Sequence, residues 1–214
     1  MLSTCATARR RRRLSTALLD VWRDIDVLVN NAGLALGLDK EFEGDIDEWS
    51  TMIDTNIKGL LTMTRLVVPH MVERNHGHVI NIGSVAGDQA YAGGNVYCAT
   101  KAAVKALSDG LRIDLVDTCV RVTNVKPGLV ETNFSVTRFR GDKSKADSVY
   151  AGIHPLNGDD IADVVLYAAN ARSMCRLPKC LCLPHIRQTA IRSARTRRAW
   201  SICRENENRI SENA

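Results

Sequence analysis

Three short, almost wholly apolar runs constrain this chain more than any other feature. They are Asp26–Asn30, His78–Ile82 and Val120–Val125; the first two end in small or polar residues, and the third leads into Lys126-Pro127-Gly128. A run that is apolar on both sides of the pleat suits a strand covered on both faces, as in a parallel sheet. Long amphipathic stretches lie between them. Residues 47–70 place Trp49, Ile53, Ile57, Leu60, Leu61, Met63, Leu66 and Val67 at helical spacing, with Asp45 or Asp47 as cap. Residues 97–115 do the same with Val104, Leu107, Leu111 and Leu115, and a shorter helix is predicted over 159–169. Strands alternating with long helices define an α/β protein with a doubly wound parallel sheet.

The chain's 214 residues suit one domain of ordinary size. Its net charge of +5 is unevenly spread. Residues 1–13 hold five arginines and no acid, and residues 172–214 hold nine arginines and one lysine against three glutamates. The body between them, 14–171, is therefore acidic, which argues against a nucleic-acid partner for the folded part. The expected organisation is an Arg-rich segment over 1–13, the α/β domain over 14–171, and a basic, poorly ordered tail over 172–214. Within that tail only Cys180-Leu181-Cys182-Leu183 reads as a strand. No apolar run reaches the ~18–20 residues of a membrane span, so no membrane partner is expected. Seven cysteines at irregular spacing fit reduced thiols in the cytoplasm. No metal site is expected: the five histidines show no ligand spacing and read as surface or strand-end residues. Cys98 reads as a small helix residue and Cys119 as core, and Trp22 and Trp49 as packing between helices.

Chemistry concentrates on Ser84, Tyr97 and Lys101, with Asn56 upstream. Tyr97 and Lys101 are four apart on a predicted helix and so share a face. A tyrosine with a pKa near ~10 is a poor base at neutral pH, and a nearby ammonium would lower it, making the pair a candidate general acid/base. By itself such a pair is ordinary. Its setting is not: Asn30-Asn31-Ala32-Gly33, Gly83-Ser84-Val85-Ala86-Gly87 and Lys126-Pro127-Gly128 all follow predicted strands. These are the places where an open parallel sheet binds ligands, and small residues there let a cofactor approach the backbone.

Together these residues resemble the short-chain dehydrogenase/reductase family. The stretch from about Leu14 to Arg172 is similar to its NADP-dependent 3-hydroxy acid dehydrogenases, the serine and allo-threonine dehydrogenases among them. The carrying segments are Asp26–Gly37, Met52–Gly59, Arg74–Ser84, Tyr91–Tyr97 and Pro127–Thr132. The resemblance implies an incomplete Rossmann-like sheet holding the family's strands 4, 5 and 6, with Cys180–Leu183 as a candidate for 7. It implies hydride transfer between NADP, rather than NAD, and a small 3-hydroxy acid or related alcohol/carbonyl substrate. Tyr97 would move the proton, Lys101 would lower its pKa and hold the nicotinamide ribose, Ser84 would bind the substrate oxygen, and Asn56 would order the proton relay. Asn30, Ala32 and Gly33 would line the adenosine side; Pro127, Gly128 and Thr132 would flank the nicotinamide. The full-length family form is expected to be a homo-oligomer, with Leu60, Met63 and Leu111 on its helical patch.

The family opens with a strand, a glycine-rich turn and a helix that holds the pyrophosphate, yet no glycine precedes Gly33. The sequence thus reads as N-terminally truncated, with NADP affinity no tighter than millimolar, and its tail beyond about Arg172 as a shifted reading frame. The alternative function is a catalytically inactive fragment serving as an interaction or dimerisation module; a third is anion or nucleic-acid binding through the Arg-rich ends. Residues 8–14 admit an organelle transit peptide, a nuclear signal or anion patch, or a remnant of the family's grip on the NADP 2′-phosphate.

Overall fold

A computed structural model describes residues 24–172 and 175–184. The Arg-rich segment, Trp22, His185 and the rest of the tail lie outside the described residues. Four strands, β1 (Val27–Asn30), β2 (His78–Ile82), β3 (Arg121–Pro127) and β4 (Lys179–Cys182), form one sheet in that order. All neighbours are parallel, with Asn30 opposite Asn81, Asn81 opposite Asn124, and Val125 opposite Cys180. The three expected strands and the candidate fourth are therefore all present. Residues just beyond Arg172 do pack: Cys180 and Cys182 lie against Ile80 and Val125.

Helices cover both faces of β2 and β3, as their continuous apolar runs lead one to expect, whereas β1 buries only the face of Leu28 and Asn30 and leaves Val27 and Val29 exposed. On one face Leu28, Val79 and Val122 meet Val67, Val68 and Met71 of α2 (Leu60–Glu73), with Leu115 and Val120 completing the cluster. On the other, Ile80 and Val125 meet Ala168 and its neighbours on α6 (Gly158–Asn170). Asn157 opens that helix with a reciprocal capping box to Asp160. Arg121 closes it by donating to the Ala171 and Ala169 carbonyls at 3.0 and 3.2 Å, the arrangement that orphan C-terminal carbonyls favour.

The predicted helix over 47–70 is present but is not uniform. α1 (Ile46–Ile53) starts on Asp45, whose carboxylate accepts from Asp47 N at 2.7 Å, and passes through a wider π-helical stretch, Asp54–Gly59, into α2. The wider turn shifts the phase of everything after it. Leu60, expected on an outward patch, is buried for this reason, whereas Met63 stays exposed and Leu111 is half-buried against the core. α3 (Asn95–Asp114) matches its prediction closely. Two short helices escaped the sequence reading, α4 (Asn133–Arg138) and α5 (Lys143–Ser148). Cys119 is exposed rather than core, because the chain turns there and Val120 enters the interior instead. Among the described residues no helix is long and apolar enough to cross a membrane.

Candidate active site

The loops at the carboxyl ends of β1, β2 and β3 meet over the N-terminal half of α3. They are floored by a cluster of Ala35, Met52, Ala86, Tyr97 and Cys98, with Trp49 and Phe134 packed around it. Helix α3 thus carries Tyr97 and Lys101 into the space where the loops converge.

Lys101 is buried, and its Nζ donates to the Ile82 carbonyl at 2.8 Å while lying 5.9 Å from the Tyr97 ring centre. Burial pulls its pKa down to about 8. An ammonium has three donors, and this one bond leaves two for a ligand. The β1 loop passes directly over it: a Cβ on Gly33 would sit 3.4 Å from Lys101 Nζ and 3.3 Å from Asn56 Oδ1.

Tyr97 is likewise buried, and that burial pushes its pKa up to about 12. The Ser84 hydroxyl and the Arg138 charge act in the opposite direction but do not overcome it. Tyr97 therefore stands as the neutral phenol at pH 7. Lys101, whose ammonium donates to the Ile82 carbonyl, is not among the groups that shift it.

Ser84 ends β2 in extended conformation, and its hydroxyl caps the short turn Val85–Gly87 by accepting from Ala86 N at 3.1 Å. The same Oγ lies 3.4 Å from the Pro127 carbonyl, linking the β2 and β3 loops. Asn56 sits in the π-helical stretch, whose wider turn directs it inward. It accepts from Leu34 N at 2.9 Å and donates to Leu34 O at 2.8 Å and Thr100 Oγ1 at 3.0 Å. Thr100 in turn donates to the Tyr97 carbonyl at 2.7 Å. One buried chain of hydrogen bonds therefore runs from the β1 loop through Asn56 to the turn of helix bearing Tyr97.

The remaining sequence candidates are more dispersed. Asn30 points into the sheet, donating to Asn81 Oδ1 at 2.8 Å. Ala32 and Thr132 are exposed, Thr132 as the cap of α4, and Pro127 and Gly128 are half-buried at the end of β3. Gly128 N donates to the Cys182 carbonyl at 2.7 Å. His78 is at a strand end as expected but is buried, and the other described histidines are exposed.

Three contributors had no clear sequence signal. Thr100 is the first; a hydroxyl beside Lys101 in an otherwise Ala/Lys-rich helix was the only hint. Phe134 packs on Tyr97 with ring centres 5.5 Å apart. The Arg138 guanidinium lies 5.1, 5.5 and 5.6 Å from the ring centres of Tyr97, Tyr91 and Phe134. It also hydrogen-bonds the Tyr91 hydroxyl.

A parallel sheet wrapped by helices, with Ser84, Tyr97 and Lys101 gathered where its strands end, is the arrangement in which doubly wound α/β proteins hold ligands. The short chain dehydrogenase pattern matches residues 4–143, and the chain belongs to that family. It is 58% identical over 149 residues to the NADP-dependent 3-hydroxy acid dehydrogenase YdfG of Salmonella typhi, which covers 69% of this chain and 60% of that protein. The NADP-dependent 3-hydroxy acid dehydrogenase of Schizosaccharomyces pombe is 50% identical over 161 residues, covering 75% of this chain and 62% of its own length. The closed form of serine dehydrogenase complexed with NADP+ superposes with a TM-score of 0.82 at 46% identity, over 86% of this chain and 75% of that one. The chain thus spans about 60% of the length of the curated relatives it matches.

Proposed function

We propose that this chain carries the catalytic residues of an NADP-dependent dehydrogenase that interconverts a small 3-hydroxy acid, or a related alcohol, with its carbonyl form. The observation that carries this reading is the convergence of Ser84, Tyr97 and Lys101, Ser84 hydrogen-bonding Tyr97 and Lys101 Nζ lying over its ring, with Gly33 of the β1 loop so close that an added Cβ would sit 3.4 Å from Lys101 Nζ. NADP fits the donors there, and when bound it supplies the hydride donor or acceptor.

In reduction, the carbonyl carbon gains a hydride and its oxygen gains the proton of Tyr97 Oη, giving the alcohol. A phenol with a pKa of about 12 is already in the form this step uses. Ser84 Oγ would hold the substrate oxygen beside Tyr97. The two free Lys101 donors would take the ribose hydroxyls, and Asn56 with Thr100 would fix the helix turn bearing both. Gly33 and Ala32 would line the adenosine side, and Pro127, Gly128 and Thr132 the nicotinamide side. Asn30 acts in this reading through the backbone of its loop, its side-chain amide being held by Asn81. The same proposal includes homo-oligomer assembly and a cytoplasmic setting. The five described cysteines, all unpaired, suit a reducing compartment.

The decisive test is Tyr97→Phe, assayed for reduction of a 3-oxo acid with millimolar NADPH. Loss of general acid catalysis removes ~100- to 10,000-fold in rate while circular dichroism and melting stay as in the parent. Turnover retained by folded Tyr97→Phe protein refutes the assignment.

A further inference from the structure

Arg138 is an arginine with work left undone. Its guanidinium faces three aromatic rings and donates to the Tyr91 hydroxyl, yet its Nε is sealed from solvent with no hydrogen-bond partner. Among the described residues no carboxylate pairs with it. The acids that line the same cleft are engaged elsewhere: Glu48 pairs with Arg140, and Glu41 accepts from Asn95 at 3.0 Å. Asp39 also lines the cleft and lies beside Gly37. A buried N–H left without an acceptor is costly, and a native structure that keeps one invites a missing partner.

The geometry limits what that partner can be. Aromatic rings satisfy the faces of a guanidinium through cation–π contact; its edge, where Nε and an Nη lie side by side, matches the two oxygens of a carboxylate. That edge is the part whose Nε has no acceptor. Arg138 is also firmly placed: Gly37 N donates to its carbonyl at 3.0 Å, tying the end of α4 to the β1 loop. Its charge centre is 5.1 Å from the Tyr97 ring, in a cleft that Tyr97, Leu36, Trp49 and Met52 also line. In a 3-hydroxy acid the carboxyl carbon is only about 2.5 Å from the carbinol carbon by ordinary bond geometry. A substrate whose hydroxyl met Tyr97 would therefore carry its carboxylate toward Arg138.

We infer that Arg138 is the carboxylate anchor of the substrate site and sets the preference for hydroxy acids over uncharged alcohols. This rests on the function proposed above and adds the residue that recognises the acid. Selection then comes from the Nε/Nη edge of Arg138, with the rings of Tyr91, Tyr97 and Phe134 holding the guanidinium in place.

The test compares 3-hydroxybutanoate with its methyl ester, which keeps the hydroxyl and removes the charge. Binding is measured calorimetrically with NADP present, for the parent chain, Arg138→Met and Arg138→Lys. The parent is expected to favour the acid about 10- to 100-fold, the range of one charged hydrogen-bonded pair. Arg138→Met should lose that preference by weakening the acid alone. Arg138→Lys should recover part of it, since it keeps the charge and lacks the fork. A purely structural arginine would move acid and ester together, so equal weakening of both overturns the inference. So does a parent chain that binds the acid no better than the ester, or not at all. Turnover of methyl 3-oxobutanoate with NADPH, and its dependence on Tyr97, reports separately on the proposed function. Discrimination without turnover would sink that function and leave the anchor standing; turnover without discrimination would do the reverse.

Discussion

Asn56 gives a sharp test of how the site is held, because each of its polar atoms has an assigned partner. Replacing it with Leu keeps the volume but strands the N–H and C=O of Leu34, which it serves at 2.9 and 2.8 Å. A buried backbone group without a partner costs ~1–3 kcal/mol. Leu34 is only half-buried, so the low end applies, and two groups give about 2–4 kcal/mol for Asn56→Leu. Asn56→Asp separates charge from shape. Its carboxylate can still accept from Leu34 N, but a second oxygen would face the Leu34 carbonyl and Thr100 Oγ1. The Thr100 proton is already given to the Tyr97 carbonyl at 2.7 Å. The buried aspartate is therefore forced toward its protonated form, raising its folded pKa above the ~3.9 of an unfolded aspartate. A raised pKa contributes stability that is whole below the unfolded value and is lost as pH rises through the folded one. Urea unfolding at pH 5 and pH 8 should then show Asn56→Asp falling further behind the parent at pH 8, while the Asn56→Leu deficit stays constant. An Asn56→Asp deficit that does not grow with pH, or an Asn56→Leu cost below about 0.5 kcal/mol, within the range of a neutral surface change, would refute the reasoning.

Two other perturbations test the surroundings. Gly87→Ala places a Cβ 2.6 Å from the Lys101 carbonyl, so the turn must retreat from α3; a loss of about 1–3 kcal/mol, as for other overpacked sites, is expected in urea melts, and an unchanged midpoint would show that the close approach is slack. His78 is held neutral, its pKa lowered to about 4 by burial first and by Arg121 second. Its contribution is complete above the unfolded value near 6.5 and is lost as pH falls through about 4. The shift corresponds to about 3 kcal/mol. His78→Gln should remove that slope between pH 7 and 4, and a parent chain with no such slope contradicts the assignment.

The strands and α3 were legible because their signals are local and periodic: apolar runs for β1 to β3, and three- and four-residue spacing for α3. Cys180-Leu181-Cys182 was legible as a strand for the same reason, although its Arg-rich context obscured that Arg112 and Arg176 tie its lead-in to the body through the Pro178 and Thr118 carbonyls. The π-helical stretch was not legible. One extra residue per turn leaves the composition of 47–70 unchanged while rotating Leu60 inward, so a regular helical wheel misplaces it. α4 and α5 each span six residues, too few to establish a period. Within the site, Ser84, Tyr97 and Lys101 were visible through motif and spacing. Thr100 and Arg138 matter through Asn56 and through Tyr91 and Tyr97, partners 41 or more residues away in the chain, so no local window contains both ends of those contacts.

The placement of the site depends on polar locks set inside an apolar sandwich. Asn30, Asn81 and Asn124 stand in register across β1, β2 and β3 near their carboxyl ends. Asn30 donates to Asn81, Asn81 to Ser108 Oγ at 2.9 Å, and Ser108 to the Val104 carbonyl at 2.7 Å. Hydrophobic burial holds α3 against the sheet but is indifferent to its sliding by a fraction of a turn. A directional chain of buried hydrogen bonds is not, because displacing any member strands a partner. Asn81–Ser108 fixes α3 to the sheet, Asn56–Thr100 fixes it to the β1 loop, and Gly87 lets the β2 loop rest directly on its backbone. Tyr97 and Lys101 lie among these three constraints on one helix. Their separation from Ser84 is therefore set by the sheet together with the loops locked onto α3, and a ligand closing on them meets groups already held in place.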